Sequence, residues 1–101
     1  MTKDAEDRHA RREAMKAKLS LLRPVLSTGG DVKWSDFFDE FVEQHEWELA
    51  LHVVCDYLLE PTTQAPPAAV TQQIQTLHEA MEIEDTCVAD LRRKAGQPVE
   101  N

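Results

Sequence analysis

The stretch FVEQHEWELALHVVCDYLLE, Phe41 to Glu60, decides the fold. Within it Trp47, Ala50, Leu51, Val54 and Leu58 recur at helical spacing, and Leu49, Val53 and Tyr57 fill much of the remaining circumference. A helix apolar nearly all round belongs at the centre of its core, so the spacing predicts a central helix over 47–59. The same stretch carries Glu43, Glu46, Glu48, Asp56 and Glu60 but no Lys or Arg. Either the fold brings cations to these acids from elsewhere, or it presents them to something basic.

Upstream, Phe37, Phe38, Phe41 and Val42 follow i, i+1, i+4, i+5 spacing, with Trp34 one turn earlier. This predicts a helix over 32–44 with those side chains on one face and Asp31 or Ser35 as N-cap. A short turn or bend follows around Gln44, His45 and Glu46. A first helix over 4–23 is expected from Ala5, Ala10, Ala14, Met15, Ala17, Leu19 and Leu22, with Pro24 ending or kinking it near Leu22 and Gly29–Gly30 making a loop. Its first half is too polar to bury.

Downstream, Pro61 stops the central helix, and PTTQAPPAA, residues 61–69, is a loop in which Pro67 suits a first helical turn. Val70, Ile74, Leu77 and Met81 then mark a helix to about residue 81. A short last helix is expected with Glu84 or Asp85 as cap and Val88 and Leu91 inward. Arg92, Arg93 and Lys94 lie at its C-terminal end, and Gly96 and Pro98 stop it. No segment alternates with period two. The expected fold is all-α, a small bundle of four to five helices in one domain over 1–101. Residues 1–14 would be an N-terminal extension prone to fray and 95–101 a C-terminal tail.

The chain has 101 residues and a formal charge of −8, with the charges segregated. No Lys or Arg occurs between Trp34 and Leu91, where thirteen acids lie. A strongly negative surface disfavours direct nucleic-acid binding and favours a basic protein partner. There is no apolar run of membrane-spanning length and no secretory h-region near the start. Cys55 and Cys87 form neither a disulfide framework nor a zinc pattern. Cys55, inside VVCDYLL, reads as a buried free thiol, and the chain as a reduced cytoplasmic protein.

Catalytic chemistry finds little footing. His45, His52 and His78 lack the convergent ligands a metal requires and read as surface or turn residues. Cys55 with a histidine is a poor nucleophile pair because burial raises a thiol pKa. Asp39 and Glu43 lack a pocket that would separate their pKa values. We therefore expect no catalytic residues, no metal and no cofactor. Helix dipoles account for Asp36, Asp39, Glu46 and Glu48 near predicted helix starts, Glu46 as a capping residue among them. They do not account for Glu40, Glu43, Asp56 and Glu60. Asp36–Glu40 and Asp39–Glu43 are moreover repulsive i, i+4 pairs. Neutralisation by Arg11, Arg12, Lys16 or Lys18 across the bundle is the intramolecular alternative.

The run Glu40-Phe41-Val42-Glu43, then His45-Glu46-Trp47-Glu48-Leu49-Ala50-Leu51, then Cys55-Asp56 and Leu58, resembles the helical Maf-type immunity proteins of bacterial polymorphic toxin and contact-dependent inhibition systems. The resemblance spans about residues 34 to 91; the long N-terminal helix departs from it. It implies a cytoplasmic antidote that binds a cognate toxin C-terminal domain, a basic RNase or DNase, and is monomeric when bound. The expected partner-binding residues are Asp36, Asp39, Glu40, Glu43, Glu46, Asp56 and Glu60, with Trp47 and Tyr57 as aromatic anchors. The alternative is a small acidic helical adaptor or regulator for another basic protein.

Overall fold

The computed structural model describes residues 3–26 and 32–96, with side chains from Glu6 onward. The expected Asp31 cap, the Gly29–Gly30 loop and Pro98 lie outside the described residues. The helices are α1 Lys3–Ser20, α2 Arg23–Leu26, α3 Val32–Glu43, α4 Trp47–Leu59, α5 Ala68–Ala80 and α6 Cys87–Lys94. Among the described residues there is no strand, so the molecule is an all-α small bundle with a one-turn α2.

All-round apolarity makes α4 the axis. Ala50, Leu51, Val53, Val54, Cys55, Tyr57 and Leu58 are buried, and every other helix packs against α4. Around it lie Leu19, Leu22, Leu26, Phe38, Val42, Ile74, Leu77 and Leu91. Burying a side chain of this size contributes roughly 1.5–3 kcal/mol.

Pro24 shapes the first turn of the chain at longer reach than expected. A proline ring clashes with the carbonyl four residues earlier, here that of Ser20, and α1 ends at that residue rather than near Leu22. The chain turns through Leu21 and Leu22, and α2 restarts with Pro24 second, where its missing N–H is harmless. Only the C-terminal part of α1 packs: Leu19 is buried and Met15 half-buried, while every side chain from Glu6 to Ala14 is exposed. The helix therefore overhangs the body, and the molecule measures 50 × 34 × 19 Å.

Two helices end on left-handed residues that are not glycine. His45 has φ 60 and Glu82 φ 55. After α3, the Glu46 amide donates to the Phe41 carbonyl at 2.8 Å and the His45 amide to Val42 at 3.1 Å. After α5, Ile83 donates to His78 at 3.1 Å and Glu82 to Glu79 at 3.1 Å. Both are Schellman closures, which satisfy otherwise orphaned carbonyls. Gly96, at φ 71, takes the corresponding position after α6.

The far end of the chain is fastened to α4 in two ways. Lys94 Nζ donates to the carbonyls of Leu58 and Glu60, the latter at 2.7 Å, and so supplies a positive charge at the C-terminus of α4. A disulfide joins Cys55 of α4 to Cys87 of α6 across a separation of 32 residues. This corrects the reading of Cys55 as a free thiol. Two cysteines distant in sequence carry no pairing signal, but the packing of α6 on α4 places their Cα atoms 6.3 Å apart, within disulfide reach.

Candidate functional site

The acids of the 36–60 region sit on the α3–α4 hairpin. Its geometry follows from the core. Phe38 and Val42 point α3 inward, and the Trp34 ring meets the Tyr57 ring edge-on at 5.9 Å. That contact sets the antiparallel register, with the start of α3 beside the end of α4. The outward strip of α3 then carries Asp36, Phe37, Glu40, Glu43 and Gln44, and that of α4 carries Glu48, Leu49, His52, Asp56 and Glu60.

The expected contacts divide into three groups. Asp39 is neutralised within the fold. Arg23 donates from Nε and one terminal nitrogen to both Asp39 oxygens at 2.9 Å. That fork, opposed by partial burial, holds the Asp39 carboxyl below the usual carboxylate range. The cation comes from α2, not from Arg11, Arg12, Lys16 or Lys18. Asp36, by contrast, is exposed and forms no ion pair among the described residues, although its charge also acts on Arg23.

Glu40, Glu43, Glu46, Asp56 and Glu60 form the second group. All five are exposed, and among the described residues none has a Lys or Arg side chain at ion-pair distance. Glu40 accepts one long hydrogen bond from Gln44 at 3.4 Å. Glu46 makes no side-chain cap hydrogen bond, so its expected capping role is absent.

The aromatic anchors are the third group. Tyr57 is buried at 5 % exposure, and its ring belongs to the core, not to an anchor on the surface. Trp47 is half-buried against the core with its ring 5.1 Å from that of His45. The exposed large apolar residues of the hairpin are Val32 at its start, Phe37, at 50 %, and Leu49, at 44 %. Phe37 and Leu49 were expected inside. Phe37 is rotated by about 100° from Phe38, and the buried arc of α3 centres on Phe38 and Val42. The i, i+1 spacing alone could not tell which of the two adjacent phenylalanines defines that arc.

Two further features lie beside the hairpin. His78 Nε2 is 2.6 Å from Asp85 Oδ1, and His52 Nε2 is 3.7 Å from Asp85 Oδ2. Burial pushes the Asp85 carboxyl up, but the Cys87 amide at 2.9 Å and the His78 ring outweigh it, and the net shift is downward. The N-cap of α6 is Thr86, not Glu84 or Asp85 as expected, but Asp85, one residue before it, accepts the first amide of α6 and gathers two histidines expected at the surface. With both neighbouring sulfurs in the disulfide, this cluster has no thiol nucleophile. Among the described residues no group of three or more His, Cys, Asp or Glu is arranged to hold a metal ion. On the other side, Trp34, Tyr57, Glu60, Pro66 and Val70 line an open groove of about 760 Å³. Lys33 Nζ lies 5.0 Å over the Trp34 ring at its edge.

No helix among the described residues is long and apolar enough to cross a membrane. Comparison with protein-family models, with curated proteins and with solved structures finds no match for the chain.

Proposed function

We propose that this protein is an immunity protein that binds a basic toxin domain, a nuclease, through the acidic face of the α3–α4 hairpin and has no catalysis of its own. One observation carries the reading. Asp39 is paired within the fold, whereas the carboxylates of Glu40, Glu43, Asp56 and Glu60 stay exposed, with no Lys or Arg at ion-pair distance among the described residues. Like charges at this spacing cost the isolated protein stability, and a basic partner relieves that cost. A nuclease must present cations to phosphates, and an acidic helical surface can occupy that cleft instead. Phe37 and Leu49, half-exposed beside the acids, replace Tyr57 as the apolar contacts that carboxylates alone lack.

The disulfide favours a different place of action from the reduced cytoplasm of the sequence reading. Disulfides persist in oxidising compartments, so an antidote in the bacterial periplasm or at the cell surface fits Cys55–Cys87 better. Thiol trapping in fractionated cells distinguishes the two.

The test is binding to the toxin domain encoded beside this gene. The variant Glu40→Gln/Glu43→Gln/Asp56→Asn/Glu60→Gln should associate more slowly, with a shallower salt dependence, and melt no lower than the native protein. Unchanged affinity together with lost stability would assign these acids to the fold and remove the interface.

A further inference from the structure

Across the α3–α4 hairpin an apolar seam runs between two acidic rims, and we infer that the element seated along it is a basic amphipathic helix of the partner. The inference rests on the reading of this hairpin as the partner-binding face and names what that face takes. The cations that a nuclease turns toward phosphates would then lie on one of its helices.

Helical phase and register build the seam. Trp34, Phe37 and Phe41 fall within about 60° of one another on α3, on the flank that meets Tyr57 of α4. Asp39, on the opposite flank, is taken by Arg23 of α2. On α4, Leu49, Val53 and Tyr57 recur at i, i+4, i+8 along the flank that faces α3. Counted from the Trp34–Tyr57 contact, Phe37 lies level with Val54 and Leu49 with Val42, so the two are about 7.5 Å apart along the hairpin. Phe41 and Val53 lie between them and pack into the core. The seam is thus closed below by packed side chains and open above at half-exposed Phe37 and Leu49.

The rims supply the charge. Asp36, Glu40 and Glu43 are exposed on α3, and Glu48, Asp56 and Glu60 on α4 and at its end. Against these carboxylates stand two ammonium groups, Lys33 over the Trp34 ring and Lys94 at the Glu60 carbonyl. A negative surplus on both sides of an apolar line is matched by a helix with an apolar residue on each turn and Lys or Arg on both flanks. The groove between two antiparallel helices also suits a helix in shape, and α3, with 12 residues, offers about 18 Å, just over three turns. Among the described residues there is no strand edge for an extended peptide to join.

Two synthetic peptides of about 14 residues, with the same Lys, Leu and Ala composition, test this without the toxin. In one the leucines repeat at i, i+3, i+4 and i+7; in the other they are scattered round the helix. By fluorescence anisotropy the native chain should bind the labelled striped peptide at least about tenfold more tightly than the scattered one, and circular dichroism should show it becoming helical. Phe37→Ser/Leu49→Ser and Glu40→Gln/Glu43→Gln/Asp56→Asn/Glu60→Gln, each folded by circular dichroism, should each weaken that binding at least about tenfold. Val32→Ser, at an exposed site about 140° from Phe37 round α3, should leave it unchanged. No binding of the striped peptide, equal binding of both peptides, or indifference to Phe37→Ser/Leu49→Ser would overturn the inference. The two readings fail separately. Toxin binding lost in the four-acid variant, without striped-peptide binding, overturns the helix and keeps the face. Striped-peptide binding as expected, beside a toxin domain indifferent to the four-acid variant, supports the helix site and removes the toxin.

Discussion

Removing the Cys55–Cys87 bond, as Cys55→Ala/Cys87→Ala, should be among the most damaging changes available in this protein. Alanine is the appropriate replacement because both positions are buried, at 4 % and 7 % exposure, and serine would bury a hydroxyl. The bond closes a loop over a separation of 32 residues that contains the end of α4, the 61–67 loop and all of α5. The chain-entropy relation for a loop of that length gives about 4 kcal/mol of stabilisation, acting through the unfolded state. For a domain of this size each kcal/mol moves the midpoint by about 4–8 °C, so the variant should melt about 15–30 °C below the oxidised protein. The assay is thermal unfolding by circular dichroism of the native chain, with and without reductant, beside the variant, with a parallel thiol titration. Reduced native protein should fall most of the way to the variant. Two titratable thiols in protein prepared without reductant would refute the bond. An intact bond whose removal moves the midpoint by less than about 3 °C would refute the entropic reasoning.

Four other outcomes follow from particular side chains. Phe38→Ala should cost about 3–5 kcal/mol in chemical denaturation and Phe37→Ala less than about 1, because only Phe38 is enclosed. Glu82→Gly should raise the melting temperature by a few degrees, about 1 kcal/mol, because glycine adopts its positive φ without steric cost; a decrease would count against strain there. Asp39 and Asp85 both have folded pKa values below their unfolded ones, so each stabilises the protein above the unfolded value, and that contribution is lost as pH falls through the folded one. Stability should therefore drop on acidification below about pH 5, and Asp85→Asn should flatten the drop while lowering stability at neutral pH. Asp39→Asn should have a smaller effect of the same sign, because its pair with Arg23 is exposed on both sides and screened by water.

The sequence was most legible where one property dominates a whole element. The apolar circumference of 47–59 marked the central helix, whose bounds match α4, and the spacing of Val70, Ile74, Leu77 and Met81 marked α5. Effects acting over a few residues were half visible. Pro24 signalled a break, but its steric reach to Ser20 decided where the break falls. The turn at Gln44–Glu46 was expected, yet nothing in a His or a Glu announces a left-handed cap at His45 or Glu82. Long-range pairings were not legible at all: the disulfide, the Lys94 bonds to α4, and the meeting of His52 and His78 at Asp85. For the candidate site, composition announced an acid-rich hairpin. Which acid is paired depended on Arg23 arriving over Asp39, and which aromatics are exposed depended on helix phase that adjacent phenylalanines left open.

The fastening of α6 by Lys94 also bears on the order in which the molecule assembles. α3 and α4 meet across a turn at Gln44–Glu46, so pairing them orders little chain and needs only a small loop closure. Lys94 finds the Glu60 carbonyl across 34 residues and can do so only after α5 has folded back. Because local contacts form early and distant ones late, the hairpin is the natural nucleus and α6 the last piece to dock. The acidic face is then complete on a nascent chain before its C-terminal helix is in place.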